Sequence, residues 1–162
     1  MEHMTYRALV AEAAPFVEEI FPWDTPWEEG RPSPSANWLF LDVRCPSEFD
    51  RMHIPGSINV PRGILETACD WGFEETEPEL VEARERPVLV ICRSGNRSIL
   101  AVRTLQRMDY RRAISLKTGL RGWNDYELPL VDAEGRPLPL EEADRYFNPA
   151  IDPAKLGPRP TH

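Results

Sequence analysis

This chain is poor in the side chains that build metal centres. It has three histidines, His3, His53 and His162, and three cysteines, Cys45, Cys69 and Cys92, in 162 residues. They are scattered, with no Cys-x-x-Cys pair, so the sequence predicts no metal site and no resident cofactor. An odd cysteine count also argues against a disulfide framework. No window approaches the roughly eighteen apolar residues of a membrane span, which excludes an integral membrane role. The N-terminus carries Glu2, Glu12, Glu18 and Glu19, the wrong make-up for a secretory signal. A cytoplasmic location is the resulting expectation. Positive charge is in deficit, 19 Lys and Arg against 27 Asp and Glu, which argues against nucleic acid as a general partner. An anionic substrate meets global repulsion, so its attraction has to be local.

What is present is concentrated in one stretch. Val88-Leu89-Val90-Ile91 is an apolar run of strand type that empties into Cys92. Arg93-Ser94-Gly95-Asn96-Arg97 follows as a short loop, and Ser98 to Met108 reads as a helix. A cysteine between a strand end and a helix N-terminus faces backbone N–H groups and positive potential, which favour thiolate over thiol. The pattern is that of a sulfur nucleophile directed at an anion. Arg93 and Arg97 are the candidate clamps, with Arg97 alternatively bracing the loop.

Around that stretch the chain alternates strand-like and helix-like segments. Tyr6 to Ile20 places Leu9, Val10, Ala13, Ala14, Val17 and Ile20 at helical spacing. Phe21 to Pro34 reads as a linker rich in Pro, Gly and Ser. Trp38 to Val43 is a continuous apolar run, as expected of a strand buried on both faces. Ser47 is a candidate N-cap for a short helix through Arg51. A turn and short strand at 54–61, helices at 63–69 and 77–84, a strand at 113–116 and a helical turn from Gly119 complete an α/β layer with a parallel sheet. Sites in such sheets lie at the carboxyl ends of the strands, where Cys92 falls. From Pro129 the chain changes character, with a turn at Asp132–Gly135, a helical turn at Glu141–Tyr146, and Pro149, Pro153, Pro158 and Pro160 keeping the end extended. Trp23, Trp27, Tyr146 and Phe147 suggest that both extensions pack onto their own domain, with a homodimer contact as the second reading.

Three separated segments resemble the rhodanese-like sulfurtransferases. Leu41 to Phe49 followed by His53 to Pro61 is similar to the family's N-proximal signature; Cys92 to Ser98 is the loop; Thr118-Gly119-Leu120-Arg121-Gly122-Trp123 is similar to the C-proximal signature. The resemblance implies an α/β fold with a central five-stranded, mainly parallel sheet and helices on both faces. It divides the chain into an N-terminal helix and linker (1–36), a rhodanese-like domain (37–130) and a Pro-rich C-terminal extension (131–162). It implies a Cys92 persulfide, formed from a small anionic sulfur donor such as thiosulfate and passed to cyanide, a thiol or a protein acceptor, with the loop Arg93, Ser94, Gly95, Asn96, Arg97 and Ser98 binding the donor. Asp109 and Thr118 stand where the family often has glycine, and neither is expected to touch the loop's chemistry.

Two competing activities remain open at this stage. Cysteine phosphatases use His-Cys-x5-Arg, but here Ile91 precedes the cysteine and Ser98 holds the arginine's place. A persulfide carrier or regulatory module without turnover is the other. Among the remaining residues, Asp42 is expected to accept backbone N–H bonds, Arg44 to pair with Glu48, and His53 to lock a turn. Cys45 is read as a small, partly buried residue, with a resolving thiol as the sharper alternative. Cys69 is expected to be inert, Arg62 is a candidate at the site entrance, and Trp123 is expected to plug the core.

Overall fold

The computed structural model describes residues 2–158; Pro160 and His162 lie outside them. Helix α1 (Tyr6–Ala13) starts at Thr5, whose hydroxyl accepts the Ala8 N–H at 3.0 Å. It stops short of the helix read through Ile20. Pro15 cannot donate to a continuing α-helical ladder, the chain tightens into a 3-10 turn at Ala14–Phe16, and Glu18–Ile20 becomes strand β1. The supposed linker is also structured. Strands β2 (Trp27–Glu28) and β3 (Arg31–Pro32) form a hairpin. Its two-residue turn, Glu29-Gly30, has φ of 49° and 79°, the positive values that match the twist of tight hairpins.

Next come β4 (Leu39–Asp42), α2 (Pro46–Arg51), β5 (Ile58–Asn59), α3 (Leu65–Ala68), α4 (Pro78–Val81), β6 (Pro87–Ile91), α5 (Arg97–Arg107), β7 (Arg112–Leu116), α6 (Gly119–Asp125) and α7 (Leu140–Phe147). The N-cap of α2 is Cys45 rather than Ser47. Proline is favoured at the first helical position, which Pro46 takes, and the Glu48 carboxylate reaches back to the Cys45 N–H at 3.4 Å.

The central sheet has five strands in the order β1-β7-β6-β4-β5, and every pairing is parallel. Alternation along the strands splits the core into two layers. Leu39, Leu41, Val88 and Val90 face α3, α4 and α5; Phe40, Leu89 and Ile91 face the opposite layer of Met52, Trp123, α6 and α7.

Both extensions pack on their own chain. β1 pairs with β7 as an edge strand of the sheet. Trp27 meets Trp123 edge-on with centroids 5.1 Å apart. Phe147 of α7 is wholly buried, and Asn124 of α6 donates to Asp144 at 2.6 Å. Trp123 fills the core, with its Nε1–H on the Pro129 carbonyl at 2.9 Å. The turn at Asp132 forms as read, its carboxylate accepting from the Glu134 and Arg136 N–H groups. Pro153–Lys155 forms a 3-10 turn, so this part of the tail is not extended. Among the described residues no helix is long and apolar enough to cross a membrane.

Candidate active site

Cys92 directly follows β6 at the centre of the sheet, and the residues after it turn before α5 begins at Arg97. The turn brings two loop amides onto the sulfur: the Gly95 N–H donates to Sγ at 3.1 Å and the Ser98 N–H at 3.3 Å. The thiol itself donates to the Ser98 hydroxyl at 3.3 Å. That hydroxyl is 2.7 Å from the hydroxyl of Ser115, buried in β7. Cys92 is fully buried, so these groups replace water around the sulfur. Donors aimed at one atom, fixed before any reaction, suit a sulfur that carries negative charge. Arg93, Ser94 and Arg97 are half-buried and Asn96 is exposed, so the outer part of the loop meets solvent.

The loop holds its shape because its outward carbonyls are taken from behind. The Cys92 carbonyl accepts the Leu120 N–H at 2.9 Å and the Arg93 carbonyl accepts the Arg121 N–H at 3.0 Å, both from the first turn of α6. Close approach demands glycine on each side. Gly95 has φ of 90°, and a Cβ there would lie 2.9 Å from the Thr118 nitrogen; Gly119 has φ of 60°, and its Cβ would lie 2.6 Å from the Cys92 and Arg93 carbonyls. Position 118 packs its backbone directly behind Gly95. Thr118 and Asp109 have φ of 68° and 66°, the left-handed region where glycine is at ease.

Arg97 is already engaged. Its guanidinium donates to both Glu48 carboxylate oxygens at 2.9 and 3.0 Å, tying the start of α5 to α2. Arg44 does not pair with Glu48 as the sequence suggested. It turns inward, wholly buried, and donates to both oxygens of Asp42 through Nε and Nη2 and to the Met52 carbonyl at 2.6 Å. Asp42 also accepts the Arg44 N–H at 3.0 Å, the backbone role expected of it. Of the two arginines flanking the turn, Arg93 is the one with capacity left: its Nε is buried with no hydrogen-bond partner.

The remaining candidates separate from the site. Arg62 pairs with Glu66 and with Thr104, two turns along α5, away from the loop entrance. His53 donates from Nδ1 to the Phe49 carbonyl at 2.8 Å and exchanges backbone bonds with Val131, which is a turn-locking arrangement. Cys69 is buried, and burial pushes its thiol up. Cys45 is exposed rather than partly buried, because the N-cap of α2 projects from the surface. Ser115 was missed by the sequence reading; the signal was a hydroxyl inside the apolar run Ala113-Ile114-Ser115-Leu116.

A family model, Rhodanese-like domain, matches residues 30–126. The chain belongs to the rhodanese-like domain family. Allochromatium vinosum carries a protein named sulfurtransferase that is 30% identical over 97 residues, covering 60% of this chain and 81% of that one. The adenylyltransferase and sulfurtransferase MOCS3 of Drosophila virilis is 36% identical over 88 residues, 54% of this chain but 19% of that one. This chain thus spans well under half the length of its larger curated relatives. Among solved structures, a Rhodopseudomonas palustris protein titled as of unknown function and a possible tyrosine phosphatase superposes with a TM-score of 0.68 at 27% identity, covering 80% of this chain and 96% of that one.

The Glu48–Arg97 bridge has a pH signature. Burial pushes the Glu48 carboxyl up, but the Arg97 hydrogen bonds, the charges of Arg97 and Arg44 and the Cys45 N–H together outweigh it and hold it below its ordinary value. A depressed carboxyl contributes stability that is fully present above the unfolded value, about pH 4.3, and drains away as pH falls through the folded one. Glu48→Gln should therefore lower the urea midpoint at neutral pH and flatten its fall on the acid side. Parallel midpoint-against-pH curves for the two proteins would show that the bridge carries no such stability.

Proposed function

We propose that this protein is a sulfurtransferase that carries a sulfane sulfur as a persulfide on Cys92, taking it from a small anionic donor such as thiosulfate and giving it to cyanide or a thiol. The observation that carries the reading is the convergence of the Gly95 and Ser98 amides on Cys92 Sγ at 3.1 and 3.3 Å. In the first step the Cys92 thiolate attacks the outer sulfur of thiosulfate. The S–S bond of the donor breaks, sulfite leaves with the electron pair, and the protein holds Cys92–S–S⁻. In the second, the acceptor attacks the terminal sulfur, and Cys92 departs as thiolate. No proton donor or oxidant is needed in either step. In this reading Arg93 meets the donor's oxyanion and Arg97, held by Glu48, braces the loop.

Phosphate-ester chemistry fits less well. The place six residues after the cysteine holds Ser98, whose hydroxyl is directed at Cys92 and Ser115. The arginine one place earlier has both carboxylate oxygens of Glu48 for partners, which leaves no arginine at the position that grips phosphate in that chemistry.

Intact mass spectrometry after adding thiosulfate tests the proposal. The protein should gain the mass of one sulfur atom, mapped to Cys92, and lose it when cyanide or a dithiol is added. Gain without catalytic loss would identify a carrier; no gain from thiosulfate or from a persulfide donor would overturn the assignment.

A further inference from the structure

The helix ahead of the family match lies along the catalytic helix. Val10 is buried, and Leu9, Ala13 and Phe16 line a cavity with Leu100 and Arg103 of α5. Towards the far end of α5 the Arg103 guanidinium lies over the Phe16 ring, 4.6 Å from its centroid, and Gln106 donates to the Phe16 carbonyl at 2.9 Å. α1 leads into β1 and α5 into β7, and these neighbouring strands pair parallel, so with these contacts the two helices run in the same direction. Tyr6 is ten residues before Phe16 and shares a face with Leu9, Val10 and Ala13, at helical offsets of three, four and seven. Counting back along α5 by the same length leads to its N-terminus, where Arg97 and the Cys92 loop lie. Tyr6 is the first residue of α1 and is half exposed, so this count places it towards the N-terminal end of α5 and open to solvent.

The electrostatics agree with that placement. Burial pushes the Tyr6 phenol up, the charge of Cys92 pushes it further, and Arg97 and Arg93 pull the other way. The hydroxyl therefore keeps its proton at neutral pH and is a donor. Arg97 is committed to Glu48, and Arg93 keeps an unpartnered Nε. Arg93 and Tyr6 are thus two polar groups at this end of α5 with capacity for an incoming anion.

We propose that Tyr6, from a helix outside residues 30–126 matched by the family model, is a substrate-binding residue whose hydroxyl, beside Arg93, donates a hydrogen bond to the oxyanion end of the sulfur donor. The proposal rests on the sulfurtransferase reading and adds a donor contact that the matched domain does not contain. It makes the N-terminal helix part of the site rather than a cover for α5.

Tyr6→Phe removes the hydroxyl and keeps the ring. Single-turnover loading of Cys92 from thiosulfate should slow about tenfold, the ordinary worth of a hydrogen bond to a charged group. Two alkylating agents separate this effect from the sulfur chemistry. Anionic iodoacetate should react several-fold more slowly with Tyr6→Phe, and neutral iodoacetamide should react at an unchanged rate. If wild-type protein takes no sulfur from thiosulfate, the donor assignment fails, and the iodoacetate-to-iodoacetamide ratio still decides the role of Tyr6. An unchanged ratio overturns the proposal. Equal slowing of both agents also overturns it, because it would mean that the hydroxyl shapes the loop instead of meeting the anion.

Discussion

Cys92→Ser should reduce sulfur transfer by at least about a thousandfold, down to the background of the assay, while leaving the fold intact. Serine keeps the size and hydrogen-bonding capacity of the side chain, so the Gly95 and Ser98 amides retain an acceptor. What is lost is the sulfur that must attack the donor and must later leave. An alkoxide is not formed at neutral pH, and an oxygen cannot hold the transferred atom as a labile S–S bond. Activity is measured as thiosulfate-dependent turnover with cyanide or a dithiol, and folding by the urea midpoint, which should move by less than about 1 kcal/mol in stability. Turnover that survived at a tenth of wild type would mean that another group carries the sulfur. Cys45, exposed at the N-cap of α2, would be the first to examine, and Cys69, buried at the C-cap of α3, the last.

The largest stability effect is expected at the other end of the chemistry, in a pair that never meets substrate. Asp42 closes β4 and is fully buried with Arg44, which it holds through both carboxylate oxygens. Two charges removed from water are stable only together. Asp42→Ala would leave the guanidinium buried with the Met52 carbonyl as its remaining partner, and should cost about 3–5 kcal/mol. Asp42→Ala combined with Arg44→Met removes the uncompensated charge and should recover much of that loss, since replacing a buried ion pair by apolar groups is often close to neutral. Urea unfolding of the three proteins measures both quantities. A single variant that lost less than about 1 kcal/mol, or a double variant no better than the single, would show that water or a local rearrangement already shields Arg44. The pair matters to the site because the backbone it orders continues into Cys45 and α2, from which Glu48 reaches Arg97. A weakened Asp42–Arg44 pair should therefore loosen the loop as well as the fold.

The sequence alone determined the local unit on which the proposed chemistry rests. A strand-type run ending in a cysteine, a glycine-containing loop and an amphipathic helix form one local unit of about twenty residues, and local units leave local patterns. The continuous apolar runs at β4 and β6 likewise foretold strands buried on both faces, and hence a parallel sheet. Tertiary structure decided everything that depends on which distant groups meet. Glu18–Ile20 continues the helical spacing read from Tyr6, yet it becomes a strand because β7 offers it an open edge. Arg97 could have faced an anion; it faces Glu48, 49 residues earlier in the chain, because α2 and α5 start at the same end of the sheet. Ser115 reads as an interruption in an apolar strand until the fold brings it to Ser98. Tyr6 gains its place only when α1 lies down along α5. Spacing in a sequence records the face on which a side chain emerges, and the packing of elements from far-apart segments determines what that face meets.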